Sequence, residues 1–150
     1  MAQSLANIAI HLVFSTKNRQ AFIKQDLQPE LNRYLAGILK NLECPAIEIG
    51  SCEDHVHILF NLSRVLPLSK VVEKLKTSSS KWIKTKSPLL ESFSWQNGYG
   101  AFSVSQSNVD NVREYIANQS RHHQKITFKE ELIKFLEKHN LTYDENYLLE

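Results

Sequence analysis

What most constrains this chain is the order in which two hydrophobic periodicities alternate along it. Residues 5 to 15 place Ile8, Ile10, Leu12 and Phe14 in alternation with Ala9, His11 and Val13, which predicts a strand with one strongly apolar face. From Asp26 to Leu42 the spacing changes. Leu27, Leu31, Leu35, Ile38, Leu39 and Leu42 recur at the three-and-four interval of a helix, which must begin near Pro29 because proline is tolerated only in the first turn. Pro45 ends that helix. Ala46 to Gly50 reads as a second strand and His55 to Leu62 as a third, separated by so few residues that an antiparallel hairpin is expected. Helical spacing returns from Leu68 to Lys84, and after Pro88 the stretch Trp95 to Ser105 ends in a fourth strand. Ser107 with Asp110 three residues later forms a capping box that opens a helix through Val112 and Ile116 to about His123. A last helix runs from about Phe128 to Lys138, and the tail from Tyr143 to Leu149 is expected to pack as a short arm.

Strand, helix, strand, strand, helix, strand, then two helices is an α+β order. Its first six elements predict a ferredoxin-like, RRM-like two-layer sandwich built on a central antiparallel sheet. One hundred and fifty residues suit a single domain, 1–150, able to bury its own core. Neither disorder nor a membrane protein is indicated. Apolar content is 42% and charged content 23%, and no apolar run approaches the ~20 residues that span a bilayer. The start lacks the features of a signal peptide, and Cys44 and Cys52 form no Cys-x-x-Cys pair, so a cytoplasmic protein is expected. A total charge of +2 does not announce a nucleic-acid binder, but its distribution is uneven. Between Arg64 and Lys86 seven basic residues stand against Glu73 alone, and Thr77 to Ser80 add hydroxyl donors suited to phosphate oxygens.

The chemistry is expected around Asp54-His55-Val56-His57-Ile58-Leu59-Phe60. Side chains alternate along a strand, so His55 and His57 point to one face while Val56, Ile58 and Phe60 point to the other. Two imidazoles then converge. On the later helix Tyr115 and Gln119 are four residues apart, just beside the Val109, Val112 and Ile116 stripe, with His122 and His123 following. Together these residues suggest a reaction: two imidazoles and an amide oxygen hold a divalent cation, the cation polarises a phosphodiester, and a tyrosine hydroxyl attacks the phosphorus. The covalent product conserves the energy of the broken bond, so no ATP is needed. Consistently, the chain has four glycines and no Gly-x-x-x-x-Gly-Lys-Ser/Thr loop.

These residues resemble the HUH single-tyrosine transposases of small bacterial insertion sequences, the IS two-hundred and six-hundred-and-five group. The resemblance covers nearly the whole chain: His11 to Lys17, Asp54 to His57, Trp95-Gln96 with Gly98-Tyr99 through Ser105, Val112 to Gln119 with His122-His123, and Thr127 to Glu131. It implies that His55, His57 and Gln119 bind Mg2+ or Mn2+ and that Tyr115 is the nucleophile, leaving a 5′-phosphotyrosine and a free 3′-hydroxyl. It also implies single-stranded DNA with subterminal hairpins as substrate, and a homodimer in which the tyrosine helix can complete the partner's site in trans. Lys17, Arg19, Lys74, Lys81 and Lys84 are expected DNA contacts from their charge. The alternative is a domesticated or non-catalytic module that binds hairpins or single strands on an RRM-like sheet. Against it, the first strand lacks the paired exposed aromatics on which such sheets stack bases.

Overall fold

The computed structural model describes residues 2–119 and 126–150. Four strands, β1 (Ala9–Ser15), β2 (Ala46–Ser51), β3 (His55–Asn61) and β4 (Gly100–Val104), form one sheet in the order β2-β3-β1-β4, with every neighbouring pair antiparallel. Helices α1 (Gln28–Asn41) and α2 (Leu68–Lys84) complete the ferredoxin-like sandwich, and α3 (Val109–Ala117) and α4 (Phe128–Lys138) follow. No described helix is long and apolar enough to cross a membrane.

The two central strands are buried on both faces because helices cover both sides of the sheet. Ile10, Leu12 and Phe14 of β1 and Val56, Ile58 and Phe60 of β3 pack with Leu31, Leu35 and Leu39 of α1 and Val71, Leu75 and Ile83 of α2. On the opposite face Ala9 and Leu59 meet Val109 and Ile116 of α3, while Val13 and Phe102 meet Phe128, Leu132 and Leu136 of α4. Gly50 sets how closely α3 approaches. A Cβ there would stand 2.6 Å from the Ile116 carbonyl oxygen and 3.0 Å from its Cγ2, so only glycine admits the helix at this height.

Several boundaries differ from the sequence expectation. β1 begins at Ala9 rather than Leu5; Ile8 is exposed, although its carbonyl still accepts the Leu62 amide. Pro29 does lie in the first turn of α1. Ser107 is not an N-cap: it sits in a 3-10 turn, Gln106–Asn108, its hydroxyl meets that of Ser105, and Asn108 caps α3 without a side-chain bond. The 3-10 turn satisfies the chain locally and delays the helix to Val109. α3 also ends earlier than expected, at Ala117 with Asn118 as its C-cap, and His122 and His123 lie outside the described residues. The tail does pack as an arm. Leu148 and Leu149 join the apolar cluster under α4, and the Glu150 carbonyl accepts from the Gly98 amide at 2.7 Å and from Gln96 Nε2 at 3.3 Å.

Candidate active site

The site is built on the sheet face away from α1 and α2. Antiparallel register pairs Ser15 with His55, Val13 with His57 and His11 with Leu59, so three imidazoles project from two adjacent strands on one side. All three are buried. Burying that many polar rings is tolerable only if their nitrogens have partners. His55 Nδ1 lies 2.6 Å from Asp54 Oδ1, and His57 Nδ1 lies 2.8 Å from His11 Nε2. The remaining nitrogens face α4, where Glu131 Oε1 stands 2.8 Å from His57 Nε2 and 3.8 Å from His55 Nε2. His55, His57 and Glu131 thus bring one donor atom each within 4.8 Å of one another, and all three are buried.

α3 adds the tyrosine. The Tyr115 ring lies edge-on to His57 at 6.0 Å, and its hydroxyl donates to Glu131 Oε2. Burial, followed by the hydrogen bond and charge of Glu131, pushes the Tyr115 pKa up, with Gln119 opposing through a hydrogen bond of its own. Gln119 is buried, and its Nε2 also reaches the Tyr115 carbonyl at 3.4 Å. Tyr115 therefore points inward, toward His57, and Gln119, two residues past the end of α3, is buried next to it. Burial, and then the electrostatic influence of the neighbouring His57, lower the His11 pKa to about 3, so it is neutral at pH 7. Burial, Asp54 and Glu131 push the nearby Cys52 thiol up to about 12.

Glu131 was not among the residues singled out from the sequence as ligands. The signal was nonetheless present: Glu131 falls three residues after Phe128 and four before Phe135, inside the apolar stripe of α4, where a carboxylate is out of place unless it has a task. Glu130, one residue earlier, is exposed.

The expected DNA contacts divide. Lys17 and Arg19 are exposed in the turn that follows β1, at the end of the sheet that also carries His55. Asn18 and Arg19 adopt left-handed backbone, φ 57° and 55°, which turns the loop sharply. Lys74, Lys81 and Lys84 are exposed on α2, whose buried side covers the other face of the sheet, so the structure does not bring them to the histidines. Lys76 behaves differently from its neighbours. Its ammonium is bonded to the carbonyls of Gln96, Asn97 and Gly98 at 2.7, 3.1 and 2.7 Å and holds the approach to β4; burial lowers its pKa to about 8.

Residues 4–119 match the family described as Transposase IS200 like. Among solved structures, the chain is similar to a protein of Deinococcus radiodurans whose assignment as a transposase is provisional, with 21% identity, a TM-score of 0.62, and coverage of 79% of this chain and 98% of that one. It is also similar to a REP-associated tyrosine transposase bound to a REP hairpin, with 10% identity, a TM-score of 0.59, and coverage of 84% of this chain and 76% of that one. These two likenesses establish the fold. Among curated proteins none matches the chain. With the family matched over most of its length, the chain belongs to the IS200-like transposases and is a DNA-cleaving enzyme.

Proposed function

We propose that residues 1–150 form one transposase domain that cuts and rejoins single-stranded DNA through a covalent link to Tyr115. The observation that carries this reading is the meeting of Tyr115, His55 and His57 at one buried carboxylate, Glu131. A nucleophile within one side chain of a ligand set has the arrangement that metal-assisted phosphoryl transfer requires.

The donor set fits a divalent cation. Two imidazole nitrogens and a carboxylate oxygen are gathered in one buried place, and each histidine is fixed through its other nitrogen. His55, His57 and Gln119 are the ligands implied by the resemblance, and the position of Glu131 adds it to them. A bound Mg2+ or Mn2+ would supply positive charge to the phosphate oxygens as they become more negative. Nitrogen ligands favour Mn2+ over Mg2+ in affinity.

In the forward step Tyr115 Oη bonds to phosphorus while the bond from phosphorus to the departing 3′ oxygen breaks. The 5′-phosphate stays on the tyrosine. Burial and Glu131 keep the hydroxyl protonated beforehand, and Glu131 Oε2 is placed to take that proton as the new bond forms and to return it to the 3′ oxygen. Attack by a 3′-hydroxyl on the phosphotyrosine reverses the step without ATP.

The substrate we assign is a single strand bearing a subterminal hairpin, met in the cytoplasm. The hairpin bound to the REP-associated relative supports this, as do the exposed Lys17 and Arg19 in the turn after β1, at the end of the sheet where β3 starts with His55. Lys74, Lys81 and Lys84 would then meet phosphates of a strand or stem that reaches round the far face. The assembly we assign is a homodimer. Within one chain the Tyr115 ring stands beside His57 and its hydroxyl donates to Glu131, an arrangement that supports a site completed in cis.

Tyr115→Phe is the deciding variant. Cleavage is expected to fall by at least about 10³-fold and the covalent adduct on a denaturing gel to vanish; an adduct that persists removes Tyr115 as the nucleophile. Mixing Tyr115→Phe with His55→Ala protein reads sharing across the dimer. Recovered cleavage means sites completed in trans, and an inactive mixture of demonstrated heterodimers means sites completed within one chain.

A further inference from the structure

We propose that His11 is a positioning residue for the cation site, holding the His57 ring so that its Nε2 faces the other ligands. The inference rests on the cation site proposed above. His11 belongs to β1 and pairs with Leu59, while His57 belongs to β3 and pairs with Val13, so the two are diagonal neighbours on one face of the sheet. Their rings meet at 2.8 Å, His11 Nε2 to His57 Nδ1, with both side chains nearly inaccessible, 2% and 1% exposed. His57 is therefore pinned at both ends, by His11 at Nδ1 and by Glu131 at Nε2. Phe135 stands edge-on to His11 at 5.0 Å, with Phe102 at 6.3 Å, and blocks rotation of the His11 ring.

A second imidazole suits this place because the required role changes. In the metal-free chain a neutral His57 that donates from Nε2 to Glu131 must accept at Nδ1, so His11 Nε2–H donates. With the Nε2 lone pair given to a cation, the His57 proton sits on Nδ1 and His11 Nε2 accepts. Neutral histidine performs either role by moving its own proton between its two nitrogens, with no net gain or loss of charge. Asp54 has only to accept, and it serves His55 in that single role at 2.6 Å.

The test compares His11→Leu, which fills the space without a polar atom, with His11→Gln, whose amide can donate or accept at about the same reach. Mn2+ affinity is measured by calorimetry without DNA, the His57 ring nitrogens by 15N NMR on metal-free protein, and folding by thermal unfolding. The leucine variant is expected to bind Mn2+ about 10–100-fold more weakly, as loss of an outer-shell partner usually does, and to shift the His57 nitrogens. The glutamine variant is expected to recover most of both. Should the leucine variant not fold, His11→Asn, whose amide falls short of His57, replaces it. Wild-type affinity and unmoved His57 nitrogens in the variant lacking the partner overturn the proposal, as does glutamine performing no better than leucine. If wild-type protein takes up no Mn2+, the cation site itself falls. The metal-free nitrogen shifts then decide the role of His11 alone: unchanged in His11→Leu they overturn it, changed they uphold it.

Discussion

The two faces of one sheet make the instructive comparison in this protein. The same strands that send Leu12, Phe14, Val56, Ile58 and Phe60 toward α1 and α2 send His11, His55 and His57 toward α3 and α4. Both faces are buried, yet they are held by different forces. The first is stabilised by removal of apolar surface from water, which is tolerant of detail. The second encloses imidazoles, a carboxylate, an amide and a phenol, each of which costs stability unless bonded to its neighbour. Any polar group of the second face whose partner is removed is left stranded. The polar side chains there form one connected set, Asp54 to His55, His11 to His57, and Glu131 to His57, to Tyr115 and, at 3.8 Å, to His55.

The sharpest way to break the comparison is to delete one residue from each face. His57→Ala is expected to lower metal-dependent cleavage on the order of 10³-fold, the several kcal/mol that cation assistance supplies, while hairpin binding in a mobility-shift assay stays near wild type. Retained cleavage would remove His57 from the ligand set. Phe14→Ala, on the opposite side of β1, is expected to cost about 3–5 kcal/mol in denaturant unfolding, with the chemistry per folded molecule unchanged. A Phe14 variant that loses activity while remaining fully folded would show that the faces are not separate.

A smaller change tests the contact between the faces and their helices. Gly50→Ala forces a methyl against the Ile116 carbonyl, so α3 must rise from β2 and take Tyr115 with it. We expect about 1–3 kcal/mol of destabilisation and a loss of about 10–100-fold in cleavage from misplacement of the nucleophile. Stability lost without loss of cleavage would mean that the Tyr115 position does not depend on this seat.

The smallest effect concerns Lys76, the one described α2 lysine bonded to the loop before β4. Burial lowers its folded pKa to about 8 from an ordinary 10.5. Between those values the unfolded chain holds more protons than the folded one, so this lysine's contribution makes stability rise with pH from about 8 to about 10.5. The stability difference between wild type and Lys76→Met should change in that sense over the window. A difference independent of pH would show that the ammonium is not desolvated.

Legibility followed the range of the interactions. The helix over Phe128–Lys138 and that over Leu68–Lys84 were readable to the residue because their apolar stripes are local and regular. The shared face of His55 and His57 was readable because alternation along a strand is a covalent fact. Ser107 misled, since a local hydroxyl and acid fit a capping box equally well whether or not the preceding turn is 3-10. The charge of the α2 lysines was visible, but not that their helix would lie across the sheet from the histidines.

The sequence by itself determined the element order, the ferredoxin-like sheet, the histidine pair and the Tyr115 and Gln119 turn, because each is written in spacings of two to four residues. Only the tertiary structure decided that Glu131 joins them across 74 residues from His57, and that His11 supports them across 46. The reason is physical. Which carboxylate of Glu130 and Glu131 faces the histidines depends on the rotation of α4 about its axis. That rotation is set by how Phe128, Leu132 and Leu136 seat on Val13 and Phe102, a packing that exists only once the chain has folded.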